Sequence, residues 1–153
     1  VPSAITSIFK LSAKSITLSD TSEMFKIKTR FTGHGHNGSV NCCEWDSKDH
    51  MISIDGVERF NWEIWEETAC GDNPNVSQGG TWPYAREGWC PGDLVKEYDH
   101  ELTPYVNSGA DVVFDYDIED IPVNDAAQGN GNYIVAMDLI LDDSEVNLKI
   151  VCI

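Results

Sequence analysis

A chain of 153 residues is long enough for one domain with a substantial core and too short for two large ones. Its 26 aspartates and glutamates against 10 lysines and arginines give a formal net charge of −16, which repels phosphate backbones and anionic headgroups, so neither nucleic acid nor a membrane surface is expected as a partner. No apolar run approaches the roughly 18–20 residues of a spanning helix, so no membrane insertion is expected.

The chain opens on Val1, and Val1 to Leu18 is too broken by serine, threonine and lysine to be the apolar centre of a signal peptide. This start reads as processed or trimmed. Ile5 to Leu11 alternates apolar and polar residues, as does Met24 to Phe31, and each predicts a strand with one face buried. His34 and His36 follow, two apart, so that an extended backbone points both imidazoles to one side, a spacing that suits copper or zinc. Asn37-Gly38-Ser39 and Asn75-Val76-Ser77 are sequons, and Asn37 and Asn75 are either glycan acceptors or polar turn residues. Met51 to Asp55 predicts another strand, closed by Asp55-Gly56, a pair that tolerates the left-handed backbone of a tight hairpin.

From Thr68 to Asp93 no strand pattern is present, and this long loop must be held by something else; Cys70 and Cys90 are well placed to do so. Val95 to Leu102 offers a turn or two of helix. Val112 to Ile118, Tyr133 to Leu141 and Val146 to Val151 alternate again. About eight strands without a repeat or a sustained helical stripe predict an all-β fold over residues 1–153, a single antiparallel two-sheet sandwich.

The charges are segregated. Ten acids and no lysine or arginine lie between Asp111 and Glu145, whereas Val1 to Arg30 carries five cations against Asp20 and Glu23. Strands showing their solvated faces would produce this, and so would pairing of the basic end of one copy with the acidic half of another. On the second reading, residues 1–18 supply an N-terminal strand available for intermolecular pairing.

Five cysteines in a small acidic chain fit an oxidising, extracellular compartment, and no pair has the Cys-x-x-Cys spacing of zinc or redox sites. Because five is odd, at least one of them has no partner within the chain. No cofactor is required by any motif. Calcium is the further candidate, since Asp115-x-Asp117-x-Glu119-Asp120 and Asp142-Asp143-x-Glu145 gather hard oxygen ligands, although neither has the EF-hand glycine and terminal glutamate. Trp82 and Tyr84 are the exposed aromatics best suited to stack on sugar rings.

The run Gly80-Thr81-Trp82-Pro83-Tyr84-Ala85-Arg86-Glu87-Gly88-Trp89-Cys90-Pro91-Gly92, preceded by Cys70-Gly71-Asp72, carries a density of tryptophan, cysteine, proline and glycine that folding pressure alone rarely produces. With Gly33-His34-Gly35-His36 and Cys42-Cys43-Glu44-Trp45, it resembles the C-terminal jelly-roll domain of the peptide-N-glycosidase F family, secreted amidases that release whole glycans from asparagine. The resemblance covers roughly Phe25 to Val106. It implies a jelly roll, a bridge between Cys70 and Cys90, a structural place for His34 in the Gly-His-Gly loop, a packing role for Trp89, and a functional glutamate at Glu44. It also implies that the essential aspartate belongs to another jelly roll across a cleft, a domain this chain lacks. One departure stands out: Asp46 replaces the second cysteine of the family's Cys-x-Glu-x-Cys motif. Cys42 or Cys43 must then stay free, bond to its neighbour, or find Cys152 or another molecule.

Three functions follow. The leading expectation is a secreted structural or assembly module, non-catalytic and self-associating, whose partner is a further copy in an oligomer or filament. The alternatives are a glycan-releasing amidase domain or subunit using Glu44, and a carbohydrate-binding module using Trp82 and Tyr84.

Overall fold

The computed structural model describes residues 12–37, 42–66, 70–73, 75, 79–119, 131–142 and 144–146, with the side chains of 36, 37, 42 and 144–146 left aside. Among these, ten strands occur: β1 (Lys14–Thr17), β2 (Phe25–His34), β3 (His36–Asn37), β4 (Cys42–Cys43), β5 (Asp49–Ile54), β6 (Val57–Glu63), β7 (Tyr98–Glu101), β8 (Asp111–Ile118), β9 (Asn132–Leu141) and β10 (Ser144–Val146). One sheet has the order β1-β8-β5-β6, the second β10-β9-β2-β7, and β3 pairs with β4 as a small third ladder. All pairings are antiparallel, giving the expected two-sheet sandwich.

The core follows from period-two alternation. Phe25, Ile27 and Phe31 on β2 and Tyr133, Val135, Met137 and Leu139 on β9 face Ile52 and Ile54 on β5 and Val112, Phe114, Tyr116 and Ile118 on β8. The intervening residues of β2 are cations. Lys26 pairs with Asp99, Lys28 with Glu97, and Arg30 with Asp138, at 3.3, 3.3 and 2.9 Å. These three cations of the basic end thus meet acids of their own chain.

Asp55-Gly56 makes the hairpin, with φ of 51° and 77°. It joins β5 to β6, a strand whose alternation is blurred by exposure and by a register shift between Ile52 and Ser53. One expectation needs correction. Val95 to Leu102 contains strand β7 rather than helix, with a 3-10 turn only afterwards at Thr103–Tyr105; cross-strand pairing with β2 buries His100 and outweighs local helical tendency. Within the 1–18 segment, Lys14–Thr17 forms the edge strand β1 and pairs on one side with β8, a register that seats Ile16 opposite buried Val112. The predicted strand at Ile5 to Leu11 and most of Val146 to Val151 lie outside the described residues.

The loop after β6 is brought onto β2 by two glycines. A Cβ on Gly33 would stand 1.9 Å from the Cys43 carbonyl oxygen, and one on Gly88 would stand 2.2 Å from that of Phe31. Gly88 also has φ of 78°, so it combines close approach with a left-handed backbone. The Gly33 N–H donates to the Glu87 carbonyl at 2.9 Å, docking the loop against the strand end where the candidate residues gather.

Candidate functional site

Cys70 and Cys90 are disulfide-bonded, their Cα atoms 4.9 Å apart, and so close the loop as expected. Asn73, almost fully buried, donates from its side chain to the Pro91 carbonyl at 2.8 Å, which fastens the two ends further. Cys43 is also disulfide-bonded, which excludes the free alternative for it. The side chain of Cys42 and all of Cys152 lie outside the described residues.

Glu44 follows β4, and both of its carboxylate oxygens are engaged. Oε2 accepts from the Gly35 backbone N–H at 3.2 Å and Oε1 from Arg86 Nε at 3.0 Å. Arg86 is 3 % exposed and saturates its whole guanidinium. Nη1 donates to the carbonyls of Trp82 and Tyr84 at 3.3 and 2.9 Å, and Nη2 to the carbonyl and hydroxyl of Thr81 at 2.9 and 3.0 Å. Its faces lie against Trp45 and Trp89, 4.5 and 5.0 Å from the ring centroids. A buried arginine keeps its charge, so burial is tolerable only when every N–H finds an acceptor and a counter-ion is near. Here both conditions hold, and their product is a rigid tie between Glu44 and the turn Thr81–Tyr84.

That turn carries the two aromatic candidates. Tyr84 is 62 % exposed and Trp82 is half-buried, while the carbonyls of both accept from Arg86. Trp89, expected to pack, donates its indole N–H to the Gly33 carbonyl at 2.8 Å and stacks near His34, 5.0 Å between centroids. His34 bonds through Nε2 to the Thr32 hydroxyl at 2.8 Å, and burial pulls its pKa down against the opposing pull of Glu44. The side chain of His36, its proposed co-ligand, lies outside the described residues.

Among the described residues no group of three or more histidine, cysteine or acidic side chains could hold a metal ion. Two of the acids grouped as calcium ligands use an oxygen on backbone N–H groups: Asp142 Oδ1 accepts from Glu23 and Met24 at 3.0 and 2.9 Å, and Asp117 Oδ1 from Ile118 at 3.0 Å. Asp120 and Asp143 lie outside the described residues. Of the sequons, Asn75 is exposed and its side-chain amide donates to the Gly92 carbonyl; the side chain of Asn37 is not described.

Sequence reasoning missed Arg86, Glu87 and His50. Glu87 and His50 are both fully buried, bonded Oε1 to Nε2 at 3.0 Å, with Nδ1 of His50 2.7 Å from the Tyr116 hydroxyl. Burial pushes the Glu87 carboxyl up to about 8 and His50 down to about 3. A signal for Arg86 exists in the chain: no other lysine or arginine occurs between Arg59 and Lys96. No comparable signal marks the other two.

Comparison with known proteins agrees with this architecture. The family model described as "Peptide-N-glycosidase F, C terminal" matches residues 4–141. A curated relative, Peptide-N(4)-(N-acetyl-beta-D-glucosaminyl)asparagine amidase F of Elizabethkingia miricola, is 34 % identical over 88 residues, which are 54 % of this chain and 25 % of that protein. A solved structure of recombinant peptide:N-glycanase F superposes with a TM-score of 0.77 at 25 % identity over 91 % of this chain and 46 % of the other. The structure of PNGase F, a glycosylasparaginase from Flavobacterium meningosepticum, gives 0.76 at 24 % identity over 92 % and 47 %, a likeness of fold. The chain thus spans a quarter of the curated relative and about half of these solved chains. It belongs to the family of the C-terminal domain of peptide-N-glycosidase F.

Proposed function

We propose that this chain is the glycan-recognising part of a peptide-N-glycosidase F-type amidase, acting in an extracellular, oxidising setting and not hydrolytic by itself. The observation that carries the reading is the Arg86 tie, which mounts the Glu44 carboxylate and the Trp82-Tyr84 turn on one support. Sugar recognition needs flat apolar faces for the ring C–H groups beside acceptors for the hydroxyls. Each carboxylate oxygen of Glu44 holds one hydrogen bond and has acceptor capacity left. The relatives' N-acetylglucosaminyl-asparagine linkage is the ligand this combination would meet.

Hydrolysis of that amide requires a group to activate water and another to stabilise the departing nitrogen. Glu44 is bound to a cation and to a backbone N–H, and the tie itself brings no second acid–base group to it. The glycan is therefore the partner we favour over a second copy of the chain, since the cations of β2 are paired internally.

Isothermal titration with a glycopeptide carrying a chitobiosyl-asparagine core tests this. Binding should be measurable and should weaken about tenfold or more in Tyr84→Ala and Trp82→Ala, the loss of one stacking face each. Absence of binding to any N-linked glycopeptide, or release of glycan by the chain alone, would overturn the reading.

A further inference from the structure

We propose that Glu87 is a positioning residue for the Glu44–Arg86 pair: its buried side chain, bonded to His50, anchors the stretch of backbone that holds both. The inference rests on the glycan-recognition reading only for its functional consequence. The Glu87 N–H donates to the Glu44 carbonyl at 3.0 Å, and its own carbonyl accepts from Gly33 at 2.9 Å. One residue upstream, the Arg86 carbonyl accepts from the Glu66 N–H at 2.8 Å. The 86–87 peptide is thus pinned to β2, to Glu44 and to the segment after β6. What keeps it there from within is the Glu87 side chain, whose Oε1 meets His50 Nε2 and the Lys48 backbone N–H at 3.0 and 3.3 Å.

The second oxygen of this carboxyl, Oε2, is buried without a partner, and so is the hydroxyl of Tyr133 on β9. A carboxylate with a bare oxygen in such a place is costly, whereas a neutral acid is tolerated. The protonated carboxyl donates to His50 Nε2, and His50 in turn donates from Nδ1 to the Tyr116 hydroxyl. Burial favours that neutral chain most, against the Lys48 backbone N–H, which favours the charged form. Glu63 on β6 and Asp46 before β5 repel a negative charge at Glu87, and Lys48, whose field opposes them, has its ammonium 3.1 Å from Asp46. Tyr98 on β7 and Tyr133 on β9 also face Glu87; burial raises both phenols, and a negative charge at Glu87 would raise them further.

Ionisation of Glu87 would strand a charge beside the orphaned oxygen and drive the 86–88 segment off β2 to reach water. Arg86 and Trp89 move with that segment. The expected observable is a single-proton transition with a midpoint of about 8 in the ¹⁵N resonances of the Arg86 Nε–H and the Trp89 indole N–H, followed on the whole chain from acid to alkaline pH. Glu87→Gln, which keeps a donor and an acceptor but cannot ionise, should abolish the transition. Glycopeptide binding by the unsubstituted chain should fall about tenfold across it, the loss of one well-placed hydrogen bond to a charged group.

A transition that persists in Glu87→Gln, or Arg86 and Trp89 resonances that stay flat while a ¹³C titration shows the Glu87 carboxyl ionising, would overturn the proposal. The ¹³C titration needs no substitution and decides the matter even if the variant does not fold. Should no glycopeptide bind at any pH, the glycan-recognition reading falls, and the spectroscopic result still judges Glu87.

Discussion

Arg86 and Glu87 are neighbours in sequence, both buried, both charged in water, and they meet burial in opposite ways. Arg86 cannot release its proton, so its surroundings supply five acceptors and two ring faces. Glu87 can take one up, so its surroundings leave an oxygen unmatched and a neutral histidine beside it. The first solution produces a scaffold held by hydrogen bonds on every N–H. The second stores a dependence on pH in the interior, directly behind the scaffold.

Breaking the saturated side should cost most. Arg86→Ala removes the donor to Glu44 and to the 81–84 turn, leaving a carboxylate and three carbonyls to find water; we expect a loss of about 4 kcal/mol in urea unfolding. A loss below about 1 kcal/mol would mean that the tie is not what organises the loop. Opening the disulfide is the next largest. Cys70→Ser with Cys90→Ser frees a loop of sequence separation 20 and should cost about 3 kcal/mol in the chain-entropy account, read as a lowered thermal midpoint. The double variant should still fold around the two sheets, because among the described residues of that loop none belongs to a strand of either sheet.

The smallest effect sharpens the titrating side. His50, depressed from 6.5 to about 3, contributes stability that is present above 6.5 and lost as the pH falls toward 3. Glu87, raised from 4.5 to about 8, contributes stability that is present below 4.5 and lost as the pH rises toward 8. Between 4.5 and 6.5 the two slopes oppose one another, so the contribution of the pair should be flat there. It should decline outside that window by at most about 1.4 kcal/mol per pH unit on each side. Glu87→Gln should flatten the alkaline limb and uncover the His50 slope between 4.5 and 6.5, and chemical denaturation at stepped pH checks it.

Much of the sandwich could be read from the chain. Phe25, Ile27 and Phe31 alternate with Lys26, Lys28 and Arg30 over a distance that only a strand explains, and Asp55-Gly56 closes its hairpin where expected. Tyr98 to Glu101 could not be read so, since its polar residues satisfy a helix or a strand equally until β2 lies beside them. In the candidate site, Glu44 and the Trp82-Tyr84 turn were visible through the residues' resemblance to a family, and the loop closure through Cys70 and Cys90. The partners of Glu44 were not visible, because Arg86 stands 42 residues away and no local pattern joins them.

Local alternation and turn chemistry are properties of neighbours along the chain, and they were enough for most of the strands and for the hairpin. The state of a buried group depends on what surrounds it in space. His50 lies 37 residues from Glu87 and 66 from Tyr116. Only when β5, β8 and the docked loop close on one another does water leave that point, and only then do an ordinary histidine and an ordinary glutamate become a neutral pair.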